Sequence, residues 1–142
     1  MKLLRAIPGL PVRDIQTAVE FYRDTLGFEP FYQESGFARL RRGEVEIQLW
    51  AATDESWKLR PAETPFEAVV SGAESFLAGT GGCRIEVEGL DALFAEYQEK
   101  GVLYNRDTTI TTEWWGDRDF HTLDVHRNLI TFFERKDSKD RA

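Results

Sequence analysis

Residues 10–28 read LPVRDIQTAVEFYRDTLGF, and this stretch decides the architecture of the chain. It carries apolar residues at steps of three and four, namely Ile15, Ala18, Val19, Tyr22 and Leu26. This spacing is typical of a helix with one core-facing side. Asp14 can cap the N-terminus of such a helix, and Gly27 can adopt the left-handed turn that ends it. We therefore predict a helix over about residues 14–26.

The same pattern returns in the second half of the chain. Its apolar positions are Leu90, Leu93, Phe94 and Tyr97, followed by Gly101. They match Ile15, Ala18, Val19 and Tyr22 at one constant offset. Such self-similarity indicates an internal repeat.

Strand-like runs surround both helices. One run precedes each helix, at residues 4–12 and 83–88, and further runs follow at 29–33, 37–40, 45–50, 102–106, 110–114, 119–124 and 129–134. The chain is therefore predicted to be an α+β protein with two tandem βαβββ modules in a single domain, residues 1–142. The first module covers about residues 4–52 and the second about 82–135, and a charged tail follows at 136–142.

A long connection, about residues 53–81, joins the two modules. Connections of this length are usually functional or mobile. Trp57 and Phe66 could fold over a cleft, and residues 73–77 could form a short helical turn. The alternative is a plain surface crossover between the two halves.

Composition restricts the class of protein. A chain of 142 residues is long enough for one buried core, and its single cysteine, Cys83, excludes an intramolecular disulfide. We find no leader and no membrane span, so we expect a cytoplasmic protein with no membrane partner. The net charge of −7 disfavours nucleic acid and favours a cationic small molecule, although acidity alone also serves solubility.

The local sequences LPVRD at 10–14, AVEFY at 18–22 and LGF at 26–28, within two βαβββ units, resemble the vicinal oxygen chelate superfamily. This superfamily includes glyoxalase I, extradiol dioxygenases, fosfomycin-resistance enzymes and the bleomycin-resistance proteins. The resemblance covers about residues 4–135. It implies curved mixed sheets around a cleft.

In the metal-dependent members, each module supplies two metal ligands. The resemblance places these positions at Ile7, Gln48, Gly82 and Thr131. Three of these residues are poor ligands for a catalytic divalent metal, and Gln48 alone cannot hold one. We therefore expect no resident metal or cofactor, and any metal would arrive bound to the ligand. Of the two histidines, His121 could line the cleft, whereas His126 is expected to lie exposed in a turn.

Without metal ligands, the sequence is most similar to the bleomycin-resistance branch. The matching features are Pro8, GFA at 36–38, IEVEGLDALFAEY at 85–97, and WG at 115–116 before RDF at 118–120. The resemblance implies a non-enzymatic homodimer that exchanges its N-terminal strands and sequesters a glycopeptide antibiotic in grooves between subunits. Residues 124–128, DVHRN, depart from the DPxGN turn of the family by lacking its Pro and Gly.

A bleomycin-type ligand presents flat rings, a cationic tail and a polar head. Its binding requires aromatic faces, carboxylates and hydrogen-bonding groups. The stacking candidates are Trp115, Phe37, Phe28 and Trp50. The polar candidates are Gln48, Ser35 and Gly36, and the acidic candidates are Glu34, Glu113 and Asp117. Each aromatic residue could instead be core, and each acid could be a solvated surface charge. If residues 114–115 are extended, at most one of Trp114 and Trp115 should face the groove.

No motif for nucleophilic or acid–base catalysis is present, and Cys83 is more typical of a small buried hydrophobic residue than of a reactive thiol. Two alternatives to antibiotic sequestration remain. The first is a binder of another aromatic or cationic small molecule. The second is a metal-dependent lyase, dioxygenase or thiol transferase whose ligands lie elsewhere in the sequence.

Overall fold

The chain forms two four-stranded mixed sheets, each accompanied by one helical segment. The computed structural model describes residues 1–52, 73 and 77–136. The first sheet has the order β1-β4-β3-β2 and the second has the order β5-β8-β7-β6. The strands are β1 Gly9–Val12, β2 Glu29–Glu34, β3 Phe37–Arg42, β4 Val45–Ala51, β5 Gly82–Glu86, β6 Thr111–Thr112, β7 Arg118–Leu123 and β8 Leu129–Glu134. The pairs β1–β4 and β5–β8 are parallel, and the other pairs are antiparallel. This arrangement confirms the predicted α+β architecture.

The first helical segment changes its winding part-way. Helix α1, Ile15–Phe21, is capped by Asp14, whose carboxylate accepts a hydrogen bond from the Thr17 amide at 2.8 Å. A π-helical turn, Tyr22–Leu26, follows, and Gly27 ends it with a φ of 79°. The predicted helix is therefore present, with a wider last turn than the apolar spacing indicated. The second helix, α2, spans Leu90–Lys100 and ends at Gly101, as predicted.

The first strand is shorter than predicted. Only Gly9–Val12 pairs with β4. The last hydrogen bond towards the N-terminus is donated by the Gln48 amide to the Pro8 carbonyl at 3.0 Å. Proline has no N–H to donate, so the ladder is interrupted at Pro8. Residues 1–8, the N-terminal arm, therefore lie outside the sheet, and the predicted strand over residues 4–12 is wrong for its first half.

The edge of the second sheet is also more irregular than predicted. Residues 102–106 form a single bridge, between Leu103 and Thr122, because the Asn105 side chain accepts the Asp107 amide and starts a turn. The strand predicted at 110–114 is reduced to Thr111–Thr112 because the chain turns between Glu113 and Asp117. Trp57, Phe66 and most of the predicted turn at 73–77 lie outside the described residues. No described helix is long and apolar enough to cross a membrane.

One hydrophobic core joins the two modules. It includes Tyr22 and Tyr97, which occupy equivalent positions in the repeat and are both fully buried. The Tyr22 hydroxyl donates to Asp124 at 2.7 Å, and the Tyr97 hydroxyl donates to the Leu26 carbonyl at 2.7 Å. Burial raises the pKa of Tyr97 to about 12. Burial also raises the pKa of Tyr22 well above its usual value, and the Asp124 carboxylate adds to the rise. Each tyrosine therefore links its own helical segment to the opposite module by a hydrogen bond.

An ion pair between Arg42 and Glu96 crosses the same boundary. The Arg42 guanidinium donates to both carboxylate oxygens of Glu96, at 2.8 and 3.0 Å, and also to the Leu26 carbonyl. Hydrogen bonding from Arg42 lowers the pKa of Glu96 below its usual range. The stabilisation is therefore fully present above the unfolded-state pKa of glutamate, about 4.3, and is lost as pH falls through the lower folded-state pKa.

Replacing Glu96 with glutamine should therefore lower the free energy of unfolding at pH 7 by about 0.5–1 kcal/mol, since the pair is partly solvent-exposed. The difference from the parent protein should shrink as the pH is lowered through the folded-state pKa of Glu96, because a protonated glutamate is as neutral as glutamine. Urea unfolding at pH 7 and at several lower pH values measures it. The control is Glu99→Gln, because Glu99 is exposed on the same helix. An effect of Glu96→Gln that does not change with pH would contradict the assignment of an ion pair between Arg42 and Glu96.

Candidate functional site

The first sheet has one face that does not contact the core. Ala38, Leu40, Ile47 and Leu49 point into the core. The alternating side chains form what we call the first open face, consisting of Tyr32, Glu34, Phe37, Arg39, Glu46, Gln48 and Trp50. Strand alternation places all of them on the same side of the sheet.

Aromatic rings form a row along the first open face. The Phe37 and Trp50 ring centroids are 4.3 Å apart, and those of Tyr32 and Phe37 are 5.8 Å apart. The indole nitrogen of Trp50 is buried without a hydrogen-bond partner among the described residues. This row offers an apolar surface against which a flat ligand can stack.

Polar groups flank this row. Arg39 donates to Glu46 at 2.9 Å, and Gln48 donates to the same carboxylate at 3.2 Å. These two donors lower the pKa of Glu46, with the Arg39 hydrogen bond as the main cause. The Tyr32 hydroxyl donates to Glu34 at 2.8 Å, which raises the pKa of Tyr32. The first open face therefore carries an ordered carboxylate on either side of its rings.

The second sheet has an equivalent face. We call it the second open face, and it consists of Arg84, Asp119, His121, Thr131 and Phe133. His121 Nδ1 lies 2.7 Å from the Thr131 hydroxyl. The Arg84 guanidinium lies 4.9 Å from the centre of the Phe133 ring and 3.4 Å from Asp119 Oδ2. This face is more polar than the first.

Both open faces border one cavity of about 760 Å³. Arg39, Arg41 and Glu46 line it from the first module, and Arg84 and Glu86 line it from the second. Residues 4–8 of the N-terminal arm line the remaining side. We call this cavity the cleft, and its size is that of an ordinary small-molecule site.

The β6–β7 hairpin presents two tryptophans at its tip. Trp114 is 91% exposed and Trp115 is 46% exposed, with their ring centroids 5.3 Å apart at nearly a right angle. The backbone here turns, since the Glu113 amide donates to the Asp117 carbonyl at 2.7 Å. The expectation that one tryptophan faces the groove assumed an extended chain, and the turn instead exposes both rings.

The structure brings four of the predicted site residues together on the first open face: Glu34, Phe37, Gln48 and Trp50. Ser35 and Gly36 form the turn between β2 and β3, next to this face. Glu113 and Trp115 lie in the separate hairpin tip of the second module. Whether these residues contact a ligand remains a prediction.

Two predicted site residues are placed differently. Phe28 is 2% exposed and packs edge-on against Tyr22, because the left-handed turn at Gly27 directs its side chain into the core. It therefore has no free face for stacking. Asp117 was predicted as an acidic site residue, with a solvated surface charge as the alternative, but its side chain is buried at the hairpin turn.

Sequence reasoning missed several residues of the two open faces, namely Tyr32, Arg39, Glu46, Arg84 and Asp119. The signal for Arg39 was present, because Ala38 and Leu40 are apolar and the residue between them must point the other way. Tyr32 follows a register shift after Pro30, which simple alternation cannot predict.

The positions that correspond to family metal ligands are spread over different surroundings. Gln48 lies on the first open face, whereas Thr131 is buried and in contact with His121. Ile7 lies in the N-terminal arm, and Gly82 pairs with Leu129. Within residues 1–52, 73 and 77–136, no group of three or more His, Cys, Asp or Glu side chains is placed to hold a metal ion.

Two further sequence expectations concern His126 and Cys83. His126 was expected to be exposed, but it is half-buried because its turn packs against the rest of the chain, and Nδ1 has no partner among the described residues. Cys83 is half-buried, and burial raises the pKa of its thiol to about 11. A thiol with this pKa is a weak nucleophile at neutral pH, as expected of a small hydrophobic residue.

Comparison with known proteins agrees with this arrangement of repeated modules. The model of the Glyoxalase/Bleomycin resistance protein/Dioxygenase superfamily matches residues 5–132. The chain belongs to this superfamily. It is 47% identical over 133 residues to the bleomycin resistance protein of Geobacillus stearothermophilus, covering 94% of this chain and 98% of that one.

Solved structures of the superfamily show the same fold. The bleomycin-binding protein of Streptomyces verticillus, complexed with copper(II)-bleomycin, is 26% identical, with a TM-score of 0.68 over 93% of this chain and 96% of that chain. The bleomycin resistance determinant encoded on the transposon Tn5 is 17% identical, with a TM-score of 0.70 over 94% and 99%. The cleft described above therefore lies within a superfamily fold in which a complex with copper(II)-bleomycin has been solved.

Proposed function

We propose that the protein binds a bleomycin-type glycopeptide antibiotic and confers resistance by stoichiometric sequestration. The observation that carries the proposal is the row of Tyr32, Phe37 and Trp50 on the first open face, in a chain 47% identical to a bleomycin resistance protein. Two other residues of that face, Arg39 and Glu46, line the cleft. Flat heteroaromatic rings stack on such a row, and the flanking carboxylates suit a cationic tail. Trp115 on the hairpin tip supplies a further stacking surface.

The protein acts in this proposal without catalysis and without a resident metal. A binder lowers the concentration of free drug by holding it in a complex, so the only chemistry required is complementary contact. Any metal enters the site as part of the ligand. The site of action is the cytoplasm, in keeping with the single half-buried cysteine.

A homodimer with exchanged N-terminal strands is part of the same proposal. The N-terminal arm exposes Leu3, Leu4 and Ile7 and pairs with no strand of the described chain. Exposed apolar segments of this kind commonly mark interaction sites. Docking of this arm on a second copy would cover its apolar side chains.

Calorimetry with metal-free and copper-loaded bleomycin at low salt tests the proposal. We expect saturable binding tighter than about 100 μM, or about −5.5 kcal/mol, with one ligand per chain. Weaker binding of both forms would exclude this ligand and leave another aromatic or cationic small molecule as the alternative. Metal analysis of protein purified without chelator tests the enzyme alternative. Stoichiometric nickel, zinc, manganese or iron would overturn sequestration.

A further inference from the structure

Asp119 is a buried carboxylate on the second open face. Its side chain is 2% exposed, although it lies on the side of the sheet that does not contact the core. Oδ1 is buried and has no hydrogen-bond partner in the described part of the chain. Oδ2 is 3.4 Å from the Arg84 guanidinium, at the outer limit for a hydrogen bond.

An oxygen of this kind is unfavourable for folding. A buried acceptor that lacks a donor loses its hydration without replacement, and the penalty is larger when the group is charged. Buried polar groups in native proteins are therefore nearly always hydrogen-bonded, and each exception requires an explanation. The aspartate at this position is thus poorly accounted for by stability alone.

Arg84, which pairs with Asp119, is half-exposed. Its side chain is 45% exposed, and its other described contact is with the face of the Phe133 ring. A long, half-exposed side chain changes rotamer within nanoseconds. Displacement of Arg84 would open a path from the cleft, which Arg84 also lines, to the carboxylate.

We propose that Asp119 anchors the ligand by accepting a hydrogen bond at Oδ1 from an N–H group of the antibiotic, after Arg84 has moved aside. This inference rests on the proposed function and names a specificity-determining residue of the same site. The donor chemistry fits bleomycin, whose polar head and cationic tail both carry such groups. Glu34 and Glu113 are less suitable because they are more exposed, and solvent and salt screen their charges.

Asp119→Asn tests this inference because it removes the charge and keeps the shape of the side chain. We expect binding of copper-loaded bleomycin to weaken about tenfold or more, since hydrogen bonds to charged groups are the strong ones. The loss should persist at high salt, because the buried carboxylate is screened little. Asp107→Asn, in an exposed turn, is the control and should bind as the parent does. Equal binding by Asp119→Asn and the parent protein would overturn the proposal.

A ligand-free measurement separates this inference from the proposed function. We expect Asp119→Asn to unfold at the same or a higher urea concentration than the parent, because a buried charge without full hydrogen bonding is removed. A clear loss of stability would mean that contacts within the protein account for the Asp119 carboxylate, which would overturn the inference. If the parent binds no bleomycin, the proposed function fails, whatever the stability of Asp119→Asn.

Binding measurements with a second ligand identify which part of the antibiotic carries the N–H donor. Binding of a bleomycin congener that lacks the cationic tail is compared in the parent and in Asp119→Asn. A loss that persists places the donor in the polar head, and a loss that disappears places it in the tail. Both results support an anchoring role for Asp119.

Discussion

Replacing Asp124 with alanine should lower the free energy of unfolding by about 3–5 kcal/mol, because several buried donors then lose their acceptor at about 1–3 kcal/mol each. The carboxylate accepts hydrogen bonds from the Tyr22 hydroxyl at 2.7 Å and from the Asn128 side chain at 2.9 Å. It also accepts the amides of His126 and Asn128, at 2.8 and 2.9 Å. Denaturant unfolding followed by circular dichroism measures the change.

Two variants bracket this result. Tyr22→Phe removes a single donor and should cost about 1 kcal/mol. Asp24→Ala removes an exposed acid paired with Arg23 and should change stability by less than about 0.5 kcal/mol. A cost for Asp124→Ala no greater than that of Asp24→Ala would show that the network does not hold the modules together.

Replacing Trp115 with alanine should weaken the binding of bleomycin by about 1–3 kcal/mol, which corresponds to roughly 5- to 150-fold in Kd. The half-exposed ring on the β6–β7 hairpin offers a large rigid surface for stacking, and its loss leaves the fold intact because the side chain lies outside the core. Calorimetric titration of the variant with copper-loaded bleomycin gives the change directly.

Trp114→Ala is the matched control for Trp115→Ala. The two rings are neighbours, but Trp114 is almost wholly exposed and its described ring contact is with Trp115. We expect it to weaken binding by less than about 0.5 kcal/mol. If Trp114→Ala costs as much as Trp115→Ala, the assignment of the stacking surface to Trp115 alone is wrong. If neither variant loses affinity, the hairpin tip is not part of the site.

The sequence predicted those parts of the fold that follow from local patterns. The helix spacing of Ile15, Ala18, Val19 and Tyr22 needs no tertiary information, and β8 was predicted at its observed limits. The N-terminal arm was misread because residues 4–7 are apolar enough for a strand. Whether they pair depends on the length of the neighbouring strand and on Pro8, which are tertiary facts.

The candidate site was predicted less completely, for a related reason. Phe37 and Trp50 were selected as aromatic residues on strands, and the register then placed them side by side. Phe28 was selected on the same grounds but is core, because Gly27 reverses the chain before it. Asp119 could not be recognised, since its burial and its missing donor depend on how Arg84 and Phe133 lie across the sheet.

The turn at residues 124–128 lacks the Pro and Gly of the family pattern and includes a non-glycine residue with a positive φ. Arg127 adopts a positive φ of 74°, a conformation that glycine adopts more easily. The Asp124 carboxylate and Asn128 supply the hydrogen bonds that hold this turn, and Asn128 also donates to the Pro11 carbonyl at 2.8 Å. Side-chain hydrogen bonding therefore stabilises a conformation that the residue at position 127 does not favour by itself.

Each module donates a buried tyrosine hydrogen bond to the other, so neither module is complete by itself. An excised first module would carry the Tyr22 hydroxyl without Asp124, and an excised second module would carry the Tyr97 hydroxyl without the Leu26 carbonyl. Each fragment would therefore strand a buried polar group and open half of the shared core to water. The shared core and these two hydrogen bonds tie the two copies into one structural unit, so we expect them to unfold together in a single transition.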